Sequence, residues 1–263
     1  MSFLRRLNGT DIDISALGLG TVKFGRNEGV KYPESFSIPD DKNIQLLLSQ
    51  ARELGINFID TAPAYGNSEE RIGKLLSNRQ DWILTTKVGE EFLHGQSHFD
   101  FSARHTRDSI ERSLQRLRTD YLDIVLIHSD GNDEQILHHS ACAEELRTLQ
   151  EQGLIRAIGM STKTIAGGIT AVDLMDIVML TYNLEQQDQE VVDYAQQQGK
   201  GVLVKKGLMS GHVHQQGKDL VEQSMRLIFA QPAIGSMIVG TINPQHLSQN
   251  VKLAKKITEL GSI

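Results

Sequence analysis

The chain has 263 residues, enough for two ordinary domains or for one barrel of eight strand-helix units. Hydrophobic residues make up 39% and charged residues 23%, which excludes a disordered chain, and the net charge of -6, with both signs scattered, leaves no basic stripe for nucleic acid. A single cysteine, Cys142, excludes an internal disulfide; no apolar run approaches a membrane span, and the opening "MSFLRRLNGTDIDIS" lacks the apolar core of a signal peptide, so a soluble cytoplasmic protein is expected.

The first elements are a hairpin around "LNGTDI" and a strand within "DIDISALGLGT". A long polar loop, Val22 to Pro39, leads to a helix in "DDKNIQLLLSQARELG" that starts near Asp40 and stops at Gly55. "NFID" reads as strand two, "SEERIGKLLS" as a helix with Ser68 as its N-cap, "WILTTK" as strand three and "ARHTRDSIERSLQRL" as a helix. "DIVLIH" is strand four; the helix "SACAEELRTLQEQG" follows, with His138 and His139 at its start and Gly153 at its end. "IRAIGMS" is strand five, with a short helix after it. "DIVMLT" precedes "DQEVVDYAQQQG", "GVLVKK" precedes "DLVEQSMRLIFAQ", and "SMIVG" precedes "NPQHLSQNVKLAKKI".

The strands are short and almost wholly apolar, as parallel strands buried on both faces are. No linker interrupts the alternation. The expected architecture is therefore α/β, a single (β/α)8 TIM barrel over residues 1–263 with an N-terminal β-hairpin. The competing architecture is an open doubly wound sheet, which binds a dinucleotide through G-x-G-x-x-G; "LGLGTVKFG" supplies G-x-G but runs on into the long loop.

A TIM barrel carries its chemistry at the C-terminal strand ends. Those ends are Asp60 after strand two, Lys87 after strand three and His128 after strand four, with Tyr65 in the loop beyond Asp60. A tyrosine of ordinary pKa near 10 is a weak acid at neutral pH; a neighbouring ammonium favours its phenolate, and a carboxylate keeps that ammonium charged and oriented. A neutral histidine can hydrogen-bond the substrate oxygen. The four together suit reduction of a carbonyl, where a hydride reaches carbon as a proton reaches oxygen. Taken singly, Asp60 is equally well a turn cap, Lys87 a solvated rim residue and His128 a satisfied core histidine. It is their convergence on one mouth that points to a site.

The segments "LGLGTVKFG", "GINFIDTAPAYGNSEERIGKLL", "TTKVG", "RDSIERSLQRLRTDYLDIVLIH", "GLIRAIGMST" and "MLTYN" resemble the aldo-keto reductases in order and spacing, over nearly the whole chain. The resemblance implies a TIM barrel, an NADPH or NADH hydride donor, and a catalytic tetrad falling on Asp60, Tyr65, Lys87 and His128. It implies NAD(P)(H)-dependent turnover of small aldehydes, ketones or alcohols. Two alternatives stay open: a cofactor-binding regulatory protein with little turnover, and an NAD-dependent sugar dehydrogenase.

The implied cofactor site is Gly20, Thr21, Ser161, Thr162, Lys205, Lys206, Thr241, His246, Gln249 and Asn250, with NADP(H) favoured and NAD(H) possible. Several of these positions depart from the family pattern. Thr162 replaces a frequent asparagine, Met179 stands where many members have glutamine, and Lys205 stands where an aromatic residue usually stacks on nicotinamide, so that Lys205 or Lys206 is expected to meet phosphate. The helix opening at Pro244 offers a further anion site. The segment "GLMSGHVHQQGKD" after strand seven is short, leaving the pocket open on that side, and Arg26, Tyr32 and Phe36 of the first loop are candidates for its wall. The pairs His138-His139 and His212-x-His214 lack carboxylate or cysteine partners at ligand spacing, so no metal is expected.

Overall fold

The computed structural model describes residues 2–211 and 218–260. Eight parallel strands close into a barrel. In chain order they are β1 (Leu17–Gly20), β2 (Phe58–Asp60), β3 (Ile83–Val88), β4 (Leu122–His128), β5 (Ile155–Ser161), β6 (Ile177–Thr181), β7 (Gly201–Lys205) and β8 (Ile234–Val239), and β8 pairs with β1 to complete the circle. Helices cover the outside. The expected strands and most of the expected helices are present; Ala103–Leu117 has the bounds read from the sequence and is capped by Ser102, whose hydroxyl accepts from His105 N.

Side-chain alternation divides the buried residues into two groups. Ile59, Val125, Ile127, Val178, Leu180, Val202 and Val204 face the helices and join the larger core between barrel and outer ring. Phe58, Ile124, Leu126, Ile177, Met179 and Leu203 point inward and fill the barrel. The N-terminal hairpin, Leu4–Arg6 against Asp13–Ser15, adds Leu7, Ile12 and Ile14 to that inner cluster and plugs the bottom. The plug needs glycine beneath it: a Cβ on Gly201 would lie 2.5 Å from the Leu7 side chain. With its bottom closed and its centre packed, the barrel is open only at the C-terminal strand ends.

Two local expectations are corrected, and one element is new. Ser68 is the first residue of its helix, not the cap; Asn67 holds the cap position, and the Ser68 hydroxyl is buried, donating to Thr21 and accepting from Thr61. His138 and His139 end a short helix, Asp133–His139, instead of starting the next one, which begins at Cys142. The polar stretch after β3 is a second hairpin, Glu90–Leu93 against Gln96–Phe99.

Candidate active site

The parity that sends Phe58 inward also sends Asp60 inward at the top of β2. In the same way Ile83 and Thr85 bring Lys87, and Ile124 and Leu126 bring His128, to the interior face of the mouth. Lys87 Nζ donates to Asp60 Oδ1 at 2.7 Å and to Thr61 O at 2.8 Å, and both side chains are buried. Tyr65 ends a 3-10 turn, Pro63–Tyr65, fixed by backbone packing. A Cβ on Gly66, at φ 63°, would lie 2.1 Å from Gly25 O, and one on Gly25 would lie 2.3 Å from Tyr65 O. Only glycine at both positions permits that approach. Arg26 adds a hydrogen bond from its guanidinium to Ala64 O at 3.0 Å. The Tyr65 and His128 rings stand nearly perpendicular with centroids 6.4 Å apart, and Lys87 Nζ lies 4.8 Å from the Tyr65 ring centroid. All four sequence-predicted residues thus meet in one place.

A fifth group belongs with them. Glu90, at the start of the second hairpin, puts Oε2 2.8 Å from His128 Nδ1, at ion-pair distance but without the alignment of a good hydrogen bond. Burial opposes ionisation of Glu90, yet His128, Ser97 and Arg26 outweigh it and bring its carboxyl down to about 2. The sequence signal was slight: an acid just beyond the end of β3, after Gly89.

The electrostatics differ from expectation at one point. The Tyr65 phenol is pushed well above its ordinary value, first by burial and then by Asp60 and Glu90, with only Arg26 acting the other way. Lys87 is not among the groups that set this shift; Asp60 pairs with it at 2.7 Å and offsets its pull on the phenol in the unliganded protein. Burial also lowers the pKa of the His128 ring, aided by Lys87 and Lys205 and opposed by Glu90. At neutral pH the site therefore holds a protonated phenol and a neutral imidazole.

Asp60, Tyr65 and His128, with Lys87 buried behind Asp60, border a cavity of about 610 Å³, within the usual range of small-molecule sites. Gly20, Thr21, Thr162, Lys205, Lys206, Thr241, His246 and Asn250 line it. Ser161 lies beneath Lys205, accepting from Lys205 Nζ at 2.8 Å, while Gln249 is exposed and does not line the cavity. Five lysines, Lys23, Lys31, Lys163, Lys205 and Lys206, border the space, and none has a carboxylate within ion-pair distance among the described residues. Asp60, the carboxylate of the lining, is taken by Lys87.

The first loop forms part of the wall. Lys23 Nζ sits 4.0 Å from the Tyr32 ring centroid and 4.8 Å from that of Phe36, and the Tyr32 hydroxyl would lie 2.8 Å from a Cβ on Gly240. Arg26 stacks on Phe92 of the second hairpin, 3.3 Å from the ring centroid. At the helix opening at Pro244, Asn243 Oδ1 already accepts from Gln245 N at 2.8 Å and His246 N at 3.3 Å. The loop after β7 is described only to Gly211, so His212 and His214 lie outside the described residues. Among the described residues no group of three or more histidine, cysteine or acidic side chains could hold a metal ion, and no helix is long and apolar enough to cross a membrane.

A closed (β/α)8 barrel with an Asp-Tyr-Lys-His cluster at its mouth defines a class, and comparison with known proteins agrees. The model of the aldo/keto reductase family matches residues 16–218, and the chain belongs to that family of nicotinamide-dependent oxidoreductases. A putative aldo-keto reductase of known structure from Pseudomonas aeruginosa is 51% identical with a TM-score of 0.89, covering 97% of this chain and 94% of that one. An uncharacterized oxidoreductase of Bacillus subtilis is 27% identical, covering 97% of this chain and 92% of its own length. The L-galactose dehydrogenase of Arabidopsis thaliana is 28% identical, covering 98% and 90%.

Proposed function

We propose that this chain reduces small aldehydes and ketones, or oxidises the corresponding alcohols, with a nicotinamide cofactor, and that Tyr65 is its general acid and base. The observation carrying this reading is the convergence of Asp60, Tyr65 and His128 on one cavity, with Lys87 held behind them against Asp60 and the Tyr65 ring. The cofactor, when bound, supplies the hydride. The cavity fits such a group by its charge: five lysines without carboxylate partners among the described residues suit a ligand carrying several phosphates. Lys206, Lys163 and Lys31, on three separate segments, would hold the phosphates, with Thr241, His246 and Asn250 beside them. NADP(H) is favoured over NAD(H) because its extra phosphate adds charge for the same lysines.

The chain's own residues do the rest. His128 and Tyr65 orient the carbonyl oxygen. As negative charge develops there, the Tyr65 hydroxyl gives it a proton, which its raised pKa keeps available across the neutral range. The Lys87 ammonium, held by Asp60 and Thr61 O, lies close enough to stabilise the phenolate that remains. In the oxidative direction the same phenolate takes the proton back.

A second reading is sugar oxidation with NAD, favoured by the likeness to L-galactose dehydrogenase over nearly the whole chain. The deciding experiment is a panel of small carbonyls, alcohols and aldose sugars, run with each cofactor separately and followed by nicotinamide absorbance. Reduction of small aldehydes with NADPH is expected. Turnover confined to sugars with NAD+ would select the second reading. Cofactor binding with no turnover on any substrate would overturn both in favour of a regulatory protein.

A further inference from the structure

Lys205 stands apart from the other lysines of the cavity. Leu203 packs in the barrel interior, so Lys205, two residues further along β7, also points inward. Its Nζ reaches past the end of β6 to donate to Ser161 Oγ at 2.8 Å and Thr162 O at 2.6 Å. The amine is thus fixed across the mouth by two neutral acceptors. The groups acting on it come from every side: Lys206 next in the chain, Asp133 behind β4, Lys163 after β5, Lys87 on β3, and His128 on β4, which feels its charge in turn. Burial first, and then these like charges, push its ammonium down to about 7, with Asp133 opposing.

Hydride transfer requires the donor carbon of a nicotinamide in contact with the carbonyl carbon, whose oxygen is held at Tyr65 and His128. Lys205 lines the same cavity as Tyr65 and His128, so a nicotinamide placed for transfer there would lie within reach of the amine's charge. The ring is neutral when reduced and carries a positive charge when oxidised. Each reduction would move two electrons and a proton to the carbonyl carbon as hydride, take a second proton from Tyr65, and leave a positively charged ring in the cavity that Lys205 lines.

We propose that Lys205 makes the site distinguish the two redox states of its cofactor, holding the reduced form more tightly than the oxidised one and so favouring loading of the reduced cofactor and release of the oxidised one. The inference rests on the nicotinamide reading above. Repulsion falls on the oxidised complex alone, which weakens product cofactor binding and raises the potential of the bound couple. A tenfold difference in affinity corresponds to about 30 mV for a two-electron couple. The coupling is reciprocal: if the ammonium disfavours the cationic ring, the cationic ring disfavours the ammonium, and the ratio of the two affinities must change with pH.

The test is direct calorimetric titration of the full chain with NADPH and with NADP+, from about pH 6 to about pH 10, on wild type, Lys205→Met and Lys205→Arg. The 2′-phosphate is common to both ligands, so its ionisation cancels in the ratio. For wild type the ratio of oxidised to reduced dissociation constants should be about tenfold larger at the acid end than at the alkaline end. Lys205→Met should show a small ratio that does not vary with pH, and Lys205→Arg a large one across the whole range. A methionine variant that keeps the wild-type ratio would overturn the inference, as would a wild-type ratio that ignores pH. If wild type binds neither form, the nicotinamide reading itself fails and takes the inference with it; if it binds both and Lys205→Met leaves the ratio unmoved, only the inference fails.

Discussion

The two sides of the barrel mouth are built on opposite electrostatic plans. On the side of β2, β3 and β4 the ionisable groups come with partners: Lys87 with Asp60 at 2.7 Å, and His128 with Glu90 at 2.8 Å. On the side of β5 and β7 and along the first loop, Lys163, Lys205, Lys206, Lys23 and Lys31 have no carboxylate at ion-pair distance among the described residues. Buried or crowded charge without a partner is unfavourable, and it shows here as lowered pKa values for Lys23, Lys205 and Lys206. The first side is complete in itself and suits chemistry that needs fixed positions. The second is complete only with an anion present. Catalytic groups and binding groups are therefore separable, and substitutions on the two sides should fail differently.

The largest effects belong to the paired side. Tyr65→Phe keeps the ring and removes the proton donor, so turnover should fall by about 10²–10⁴-fold while cofactor titration stays near wild type. Near-normal turnover, with chemistry shown to be rate-limiting, would remove Tyr65 from its role. Lys87→Met should cost comparable activity and also stability, because it leaves the Asp60 carboxylate buried without its partner; breaking such a pair costs about 3–5 kcal/mol. Adding Asp60→Asn should restore part of the thermal midpoint and none of the turnover. Recovery of activity in the double variant would show that Lys87 only holds the fold.

The pH dependence sharpens the same contrast. Since burial, Asp60 and Glu90 raise the Tyr65 pKa, its proton is retained through the alkaline range. Carbonyl reduction should lose nothing to Tyr65 ionisation up to about pH 9, and alcohol oxidation, which needs the phenolate, should keep climbing to about pH 10. Levelling of the oxidation rate near neutral pH would show that the phenol is not raised. On the lysine side the sign concerns stability. Lys205 drops from 10.5 to about 7 on folding, so between those values the unfolded chain binds more protons and the stability of the unliganded protein rises with pH. Denaturant midpoints across that window should rise for wild type and flatten in Lys205→Met.

Which of these features could be read from sequence depends on what each rests on. Asp60, Lys87 and His128 were legible because each is a polar residue closing an apolar run, and eight such runs predict the barrel that gathers strand ends. Glu90 was not, because the hairpin that carries it turns at His94 and Gly95, both at positive φ, in place of the Asn-Gly or Asp-Gly that signals such a turn, and its second strand is exposed throughout. The inward direction of Lys205 was hidden for a different reason. In Gly201–Val204 every residue is buried, so hydropathy shows no phase, and parity emerges only once Leu203 is seen inside the barrel. The Tyr65 shift depends on burial and on Glu90 and Arg26, distant in sequence, and the expectation built on Lys87 alone left those groups out.

Glu90→Gln tests the group that sequence reading missed. It keeps shape and removes the charge facing His128, so the ring loses the partner that favours its protonated form. Reduction should fall by about tenfold, equivalent to about 1.4 kcal/mol, with the acid limb of the rate profile moved to lower pH. Glu90 is a positioning residue, and the pH profile is the decisive readout: an unchanged limb would mean that Glu90 only anchors the hairpin through Ser97, which donates to it at 2.6 Å.

The smallest effect is expected on the unpaired side, at the exposed Lys206. Its ammonium feels Lys31 and Lys163, after burial the chief causes of its lowered pKa, and phosphate would relieve that repulsion. An exposed charge pair is worth about 0.2–1 kcal/mol, so Lys206→Ala should weaken NADPH binding only by a few-fold at low salt. The difference should shrink as salt rises, because screening acts beyond about 8 Å at physiological ionic strength. The same substitution removes repulsion from the unliganded protein, so its thermal midpoint without cofactor should stay level or rise slightly while affinity falls. These opposed signs separate a ligand-binding lysine from a structural one. A variant that melts earlier without cofactor, or that binds NADPH like wild type at low salt, would place the phosphates elsewhere around the mouth.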